Sequence, residues 1–327
     1  MFYLLLGVAN DAPAAPLDAS SVRSFVSYMS QTYGFDAAAL SSTFNHVSRS
    51  DRIIELMAKP AEKVKPWYQY RALFITARRI REGAAFWRAN EAAVNRAAAT
   101  YGVAPEVIIA IIGVETSYGQ NVGSYRVIDA LSTLAFHYPG NNPARGAFFR
   151  TQLEQFLLMA RDDDLDPLSL TGSYAGAMGM PQFMPDSYRR LAVDFDGDGK
   201  RNIWQDPDDA IGSVANYLRE HGWRPAGAVM SRARVGEIEP DAFLKTTIKP
   251  SFRLVDFTTA GIVPLQRNDN ADDEAALFEL EGSAGNEYWI GYTNFYVISR
   301  YNPRVKYAMA VAQLSEEIRK LHGDPGS

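Results

Sequence analysis

The chain has 327 residues, 47% of them hydrophobic, enough for one large domain or two to three smaller ones with a sizeable core. A formal net charge of -5 without a dense basic stripe argues against nucleic acid as a partner, and the absence of cysteine excludes disulfides, thiol catalysis and Cys-ligated zinc. The four histidines (His46, His137, His221, His322) are scattered rather than spaced as metal ligands, which disfavours a zinc hydrolase.

Residues 1–17 open with the apolar run Met1 to Val8 and continue Ala/Pro-rich. They read as a signal remnant or a flexible N-terminus; the run is too short to span a bilayer and no lipid-bearing cysteine is present. Residues 18–100 form a helical N-terminal region, beginning where Ser20 and Ser21 precede the spacing Val22, Phe25, Val26, Met29. The aromatic run Trp67, Tyr68, Tyr70 stands before another helix and is read as core packing, with sugar stacking as the alternative.

Residues 101–223 remain helical, with apolar-periodic segments around 105–118, 147–160 and 207–220. The first of these, Val107 to Val114, is apolar throughout and is followed by Glu115. Pro105 suits the first helical position and Gly119 a left-handed stop, which places Glu115 in the last turn of a helix of about four turns. A helix C-terminus disfavours negative charge and apolar neighbours add a desolvation penalty. Both raise the carboxyl pKa toward the range of a general acid. In Gly172–Tyr188, three glycines within eight residues suggest close backbone approach, and Ser173, Gln182 and Tyr188 offer hydrogen bonds to a polyhydroxylated ligand.

Asp194-Phe195-Asp196-Gly197-Asp198-Gly199-Lys200 has the opening of an EF-hand loop, with carboxylates at positions 1, 3 and 5, Gly at 6 and a backbone carbonyl at 7. Position 12 is Gln205, so the last ligand must come from Asp206, Asp208 or Asp209. From Pro225 the composition turns toward strands, at Thr246-Thr247-Ile248, Phe252-Arg253-Leu254 and Ala276 to Leu280. Residues 224–290 are therefore expected to be a small β-containing insertion. Residues 291–327, ending in the helical run Tyr307 to Leu321, are expected to return to the 101–223 region. The fold class is mainly α, in an α+β arrangement.

Taken together, the Val107–Gly119 and Gly172–Tyr188 segments resemble the membrane-bound lytic transglycosylase B family of murein-cleaving enzymes. The likeness extends to Tyr101-Gly102-Val103, Ile128 to Leu134, Phe156 to Arg161, Asp209 to Tyr217, Asn294-Phe295-Tyr296 and Arg300-Tyr301-Asn302, over roughly residues 20–320. The resemblance implies a lysozyme-like helical catalytic domain over residues 101–223, in which one Glu, here Glu115, acts first as acid and then as base. It implies cleavage of the MurNAc–GlcNAc bond to 1,6-anhydromuramoyl products. Sugar contacts would come from Tyr118, Ser173, Gln182, Tyr296, Tyr301 and Asn302. A structural calcium ion would sit on Asp194, Asp196, Asp198, the Lys200 carbonyl and Asp209, with no organic cofactor. The partners would be peptidoglycan strands and possible cell-wall enzymes, for a monomer in the periplasm of a Gram-negative bacterium, soluble or outer-membrane-associated. Asp129, Glu154 and Asp186 are the candidates for a second carboxylate, which a hydrolytic muramidase would need. A non-catalytic murein-binding scaffold is the other alternative.

Overall fold

The structure is a computed structural model describing residues 15–59, 65–140, 142–237, 240–244, 248–266, 268 and 270–323. The expected apolar run at residues 1–8 lies outside the described residues. In chain order the elements are α1 (Ala19–Tyr33), α2 (Ala37–Phe44), α3 (Asp51–Ala58), α4 (Trp67–Phe74), α5 (Ala77–Ala89), α6 (Glu91–Tyr101) and α7 (Pro105–Thr116). There follow β1 (Tyr125–Arg126), α8 (Val127–Phe136), α9 (Pro143–Asp162), β2 (Thr171–Gly172), α10 (Pro185–Leu191) and α11 (Pro207–Glu220). The chain ends in β3 (Met230–Val235), β4 (Phe252–Arg253), α12 (Leu254–Thr259), β5 (Ile262–Pro264), β6 (Glu274–Gly282), β7 (Gly285–Tyr292), α13 (Thr293–Ser299) and α14 (Val305–Gly323). Among the described residues no single helix is long and apolar enough to cross a membrane.

Short polar side chains set the helix starts. Asp18, Asp36, Ser50, Thr76 and Asn142 each accept a backbone N–H from the first turn of the helix that follows, satisfying donors that would otherwise lack a partner. Asp18, rather than the Ser20–Ser21 pair, therefore starts α1, and Phe25, Val26 and Met29 are its buried face.

Two compact units result, each made of separated stretches. One gathers the described residues of Lys63–Tyr118 and Ile211–Ser327, the other those of Phe2–Glu62 and Gly119–Ala210. This partition cuts across the sequential boundaries expected at 100/101 and 223/224. Within the first unit, α14 packs on α4, α5, α7 and α13. Helix α7 is buried from Val107 through Val114, which is why its sequence is apolar all round. Each of its four fully buried isoleucines contributes roughly 1.5–3 kcal/mol of burial.

The same unit holds a five-stranded antiparallel sheet of order β4-β6-β7-β3-β5, in which β6 and β7 form a hairpin with Leu277 opposite Ile290. Phe257, Ile262, Leu277 and Ile290 form its own core. The expected strand at Ala276 to Leu280 lies within β6. The one at Phe252 to Leu254 is corrected: it stops at Arg253, because the Asp256 carboxylate accepts the Arg253 N–H at 2.8 Å and starts α12 at Leu254. Ile248 lies in no strand, and Thr246 and Thr247 fall outside the described residues. Of the aromatic run, Trp67 is buried in α4 as expected, whereas Tyr68 is 40% exposed.

In the second unit α8 packs on α9 and α3, α9 on α10, and α1 on α2. Phe25 meets Phe44 and Phe136 edge-on, with ring centroids 5.9 and 5.8 Å away. A two-residue antiparallel ladder pairs Tyr125 with Gly172 and Arg126 with Thr171. It ties the start of α8 to the Gly-rich segment.

Candidate active site

Glu115 sits one residue before the end of α7, which stops at Thr116 after just over three turns. The left-handed stop begins earlier than Gly119: Ser117 (φ 51°) and Tyr118 (φ 61°) already adopt it. Left-handed backbone at two consecutive non-glycine residues is strained and persists only when its surroundings enforce it. Here the Ser117 and Tyr118 N–H groups donate to Gly113 and Ile112 carbonyls, and the Tyr118 hydroxyl donates to the Arg79 carbonyl at 2.7 Å. Arg79 also donates to Ser117 Oγ at 3.1 Å.

These contacts tie Tyr118, named above for a sugar contact, to the protein itself. Its side chain is buried against Phe86, its ring and hydroxyl occupy the space a Cβ on Gly113 would need, and burial raises its phenol pKa. It fixes the turn after Glu115.

The residue Glu115 keeps some accessible surface, yet protein encloses its carboxyl closely enough that lost hydration dominates its titration. Burial pushes the pKa from 4.5 up to about 7, against the opposing effect of Tyr307, whose hydroxyl donates to Oε1 at 2.5 Å. Tyr307 is the one hydrogen-bond partner of this carboxyl among the described residues. It is buried in α14, and its own pKa is raised by burial and by the nearby carboxylate.

Tyr301 lies in the same electrostatic environment: burial and the charge of Glu115 raise its pKa, and its ring packs on Tyr217 at 4.4 Å. Tyr217 in turn donates to the Arg300 carbonyl, fixing the turn between α13 and α14. Tyr296 is half-buried in α13 with Arg300 over its ring at 5.8 Å, and Asn302 is half-buried in the following turn. Structure thus brings Glu115, Tyr301 and Tyr307 into one neighbourhood of the first unit. Sequence reasoning missed Tyr307; a tyrosine on the apolar face of the final helix is the signal, since a buried phenol requires a partner.

In the second unit, Ser173 and Gln182 belong to a tight backbone structure in which Met178 and Phe183 exchange N–H···O bonds. Ser173 Oγ accepts from Ala175 and Ala177 N–H, leaving its own proton to donate. Gln182 has φ 53°, and its amide NH2 donates to Val122 and Gly179 carbonyls at 3.1 and 2.9 Å. That lock leaves Oε1 without a protein partner among the described residues. The glycines serve close approach to the chain's own backbone: a Cβ on Gly172 would lie 2.3 Å from Ala177 O, and one on Gly179 2.5 Å from Ile203 O. Tyr188, expected to offer a ligand hydrogen bond, is fully buried with its hydroxyl 2.7 Å from both Asp163 and the Arg201 carbonyl. It is a core residue.

The acidic loop draws Asp194, Asp196 and Asp209 together, one oxygen from each lying within 4.8 Å of the others. Asp209 is buried and held by the N–H groups of Phe195 and Asn202, both at 2.6 Å. Asp206 instead accepts from Asp208 N–H. Asp198 is not in the closest group; its carboxylate accepts the Lys200 N–H. A hard oxygen donor set of this kind fits calcium.

None of the three candidate second carboxylates is free. Asp129 is paired with Arg126 at 2.6 Å and accepts the Ser48 N–H. Glu154 accepts from Tyr33 and Tyr28 hydroxyls at 2.5 and 3.1 Å, and Asp186 is paired with Arg190 at 3.3 Å.

A family model described as a transglycosylase SLT domain matches residues 18–316. The chain is 43% identical over 309 residues to the membrane-bound lytic murein transglycosylase B of Escherichia coli (strain K12), spanning 91% of this chain and 82% of that protein. Among solved structures it is similar to soluble lytic transglycosylase SltB1 from Pseudomonas aeruginosa, with TM-score 0.88 and 48% identity over 93% of this chain and 99% of that one. It is also similar to the E. coli lytic transglycosylase Slt35 in complex with calcium, with TM-score 0.84 and 41% identity over 95% of this chain and 97% of that one. The lysozyme-like fold of these neighbours is shared by this chain.

Proposed function

Because the chain belongs to the transglycosylase SLT domain family, within the membrane-bound lytic transglycosylase B-like peptidoglycan lytic transglycosylases, we propose that Glu115 carries its chemistry alone. The protonated carboxyl donates its proton to the glycosidic oxygen between MurNAc and GlcNAc, the C1–O bond breaks and the GlcNAc 4-hydroxyl leaves. The substrate's acetamido group stabilises the cationic centre. Glu115, now a carboxylate, removes the proton from the muramoyl 6-hydroxyl as O6 bonds to C1. The product is a 1,6-anhydromuramoyl end, the proton returns to Glu115, and no water is consumed.

The carrying observation is the buried carboxyl of Glu115, with a pKa of about 7 and a single hydroxyl donor. Such a group holds a proton near neutrality and gives it up at small cost, as both halves of the reaction require. Tyr307 orients it and stabilises the carboxylate formed midway. The structural engagement of Asp129, Glu154 and Asp186 supports this reading over the muramidase, which needs a carboxylate free to activate water.

Ser173 through its free proton and Gln182 through Oε1 supply sugar contacts, and Tyr296, Tyr301 and Asn302 contribute from the C-terminal segment. Calcium would be held by Asp194, Asp196, Asp209, the Asp198 carboxylate and the Lys200 carbonyl. It braces this loop and supplies no proton. The setting is the periplasm of a Gram-negative bacterium, with peptidoglycan strands as the macromolecular partner.

Digestion of purified murein with the native chain and with Glu115→Gln tests the assignment. Muropeptides lighter by one water than hydrolytic products, absent with the variant, are expected. Products of full hydrolytic mass would overturn the single-carboxylate mechanism, and equal cleavage by the variant would remove Glu115 from it.

A further inference from the structure

One cavity of the first unit is lined by none of the residues around Glu115. It has a volume of about 510 Å³, within the range of small-ligand sites, and is lined by residues of α4, α14, β3 and the β6–β7 hairpin. Its wall is chemically divided. Arg71, from α4, uses Nε to donate to Gln313 at 2.7 Å, and its two terminal nitrogens have no protein partner among the described residues. Facing the same space is Glu316 of α14, a half-buried carboxylate with no hydrogen bond or ion pair among the described residues.

The other charges lining the cavity are already engaged. Glu287 accepts from the Trp289 indole at 3.1 Å and faces Arg232 at 3.8 Å, and Glu317 is paired with Lys320 at 2.7 Å. The exposed Tyr68 ring supplies an apolar flank.

Burial of the Glu316 carboxylate disfavours its charge, an effect that Lys320 and Arg319 offset only in part, and the exposed Arg71 guanidinium presents a fork suited to a carboxylate. We propose that this cavity binds a zwitterionic peptide, its carboxylate on Arg71, its ammonium on Glu316 and its apolar stem against Tyr68. Resting on the peptidoglycan reading above, the ligand class is the stem peptide, whose diamino acid carries both charges on one residue. The cavity would then recruit the peptide of a strand independently of the bond being cut.

The probe is a free stem tetrapeptide containing a diamino acid and no sugar, titrated calorimetrically into the full chain. Saturable binding, weakened about tenfold or more by Arg71→Gln and by Glu316→Gln and retained in Glu115→Gln, is expected; tenfold corresponds to about 1.4 kcal/mol. Tyr68→Ala, at an exposed position, provides a third variant should either charge change unfold the chain, which thermal melting reports. Absence of saturable binding, or binding indifferent to these variants, overturns the proposal. So does loss of binding in Glu115→Gln, which would put the peptide in the catalytic site, or equal binding of a peptide-free disaccharide. Cleavage of peptide-free glycan by the Arg71 and Glu316 variants is expected at the native rate. A chain that binds the peptide but cleaves no murein would sink the catalytic reading and leave this one standing.

Discussion

A carboxyl moved from 4.5 to about 7 costs about 3 kcal/mol more to ionise than it does in water, and α7 imposes that cost through burial. Tyr307 works the other way, because its hydroxyl stabilises the charged form. The sign of the pH dependence follows. In the proposed mechanism Glu115 starts protonated, so the rate of murein cleavage is expected to fall as pH rises through about 7. Tyr307→Phe removes the interaction that lowers the pKa, so the falling limb moves to higher pH while the maximal rate drops by roughly 10- to 100-fold, the worth of a hydrogen bond to a charged group. A pH–rate profile of the variant checks both; a limb moving to lower pH would contradict this role. Glu115 was legible because its signals are local, Pro105 at one end of α7 and the left-handed turn at the other. Its donor lies 192 residues away, and no local pattern encodes that distance.

At the scale of an element, the acidic loop was legible as far as its periodic Asp and Gly residues run. The closing ligand was not, since Asp209 opens α11 and reaches the loop only because its carboxylate is fixed by Phe195 and Asn202 N–H groups. Three carboxylates gathered within 4.8 Å repel one another without a cation. Calcium at a hundredfold excess over its Kd is expected to stabilise the chain by about 2.7 kcal/mol, and chelation to remove this. Thermal melting with calcium and with chelator measures it, and Asp194→Asn should abolish the difference. A chelated chain should still cleave murein at a temperature where it remains folded; if it does not, the ion is more than a brace. The 172–183 segment shows the opposite limit. Its glycines marked close approach, but only the structure shows that the approaching atoms are the chain's own, carbonyls at Gly172 and Gly179 and the Leu131 side chain at Gly176.

For the whole molecule, periodicity revealed most helices but not which stretches fold together. Sequence organisation suggested a catalytic domain spanning 101–223, whereas α7 shares its unit with α4, α5, α13 and α14. The reason lies in α7 itself: a helix apolar on every face needs partners on every face, and nearby chain supplies too few. Helix α14 covers α7 with a surface buried from Tyr307 through Ser315 and brings the Tyr307 hydroxyl to Glu115. An isolated 101–223 fragment would therefore expose the isoleucines of α7 and lose the Tyr307 hydrogen bond to Glu115. It is expected to lack a cooperative thermal transition by circular dichroism and to leave murein intact. Adding back residues 63–100 alone should not rescue it, because α13 and α14 would still be absent. Cleavage by either fragment would mean that the acid keeps its proton and its aim without Tyr307, and would send the search for its positioning group back into 63–223.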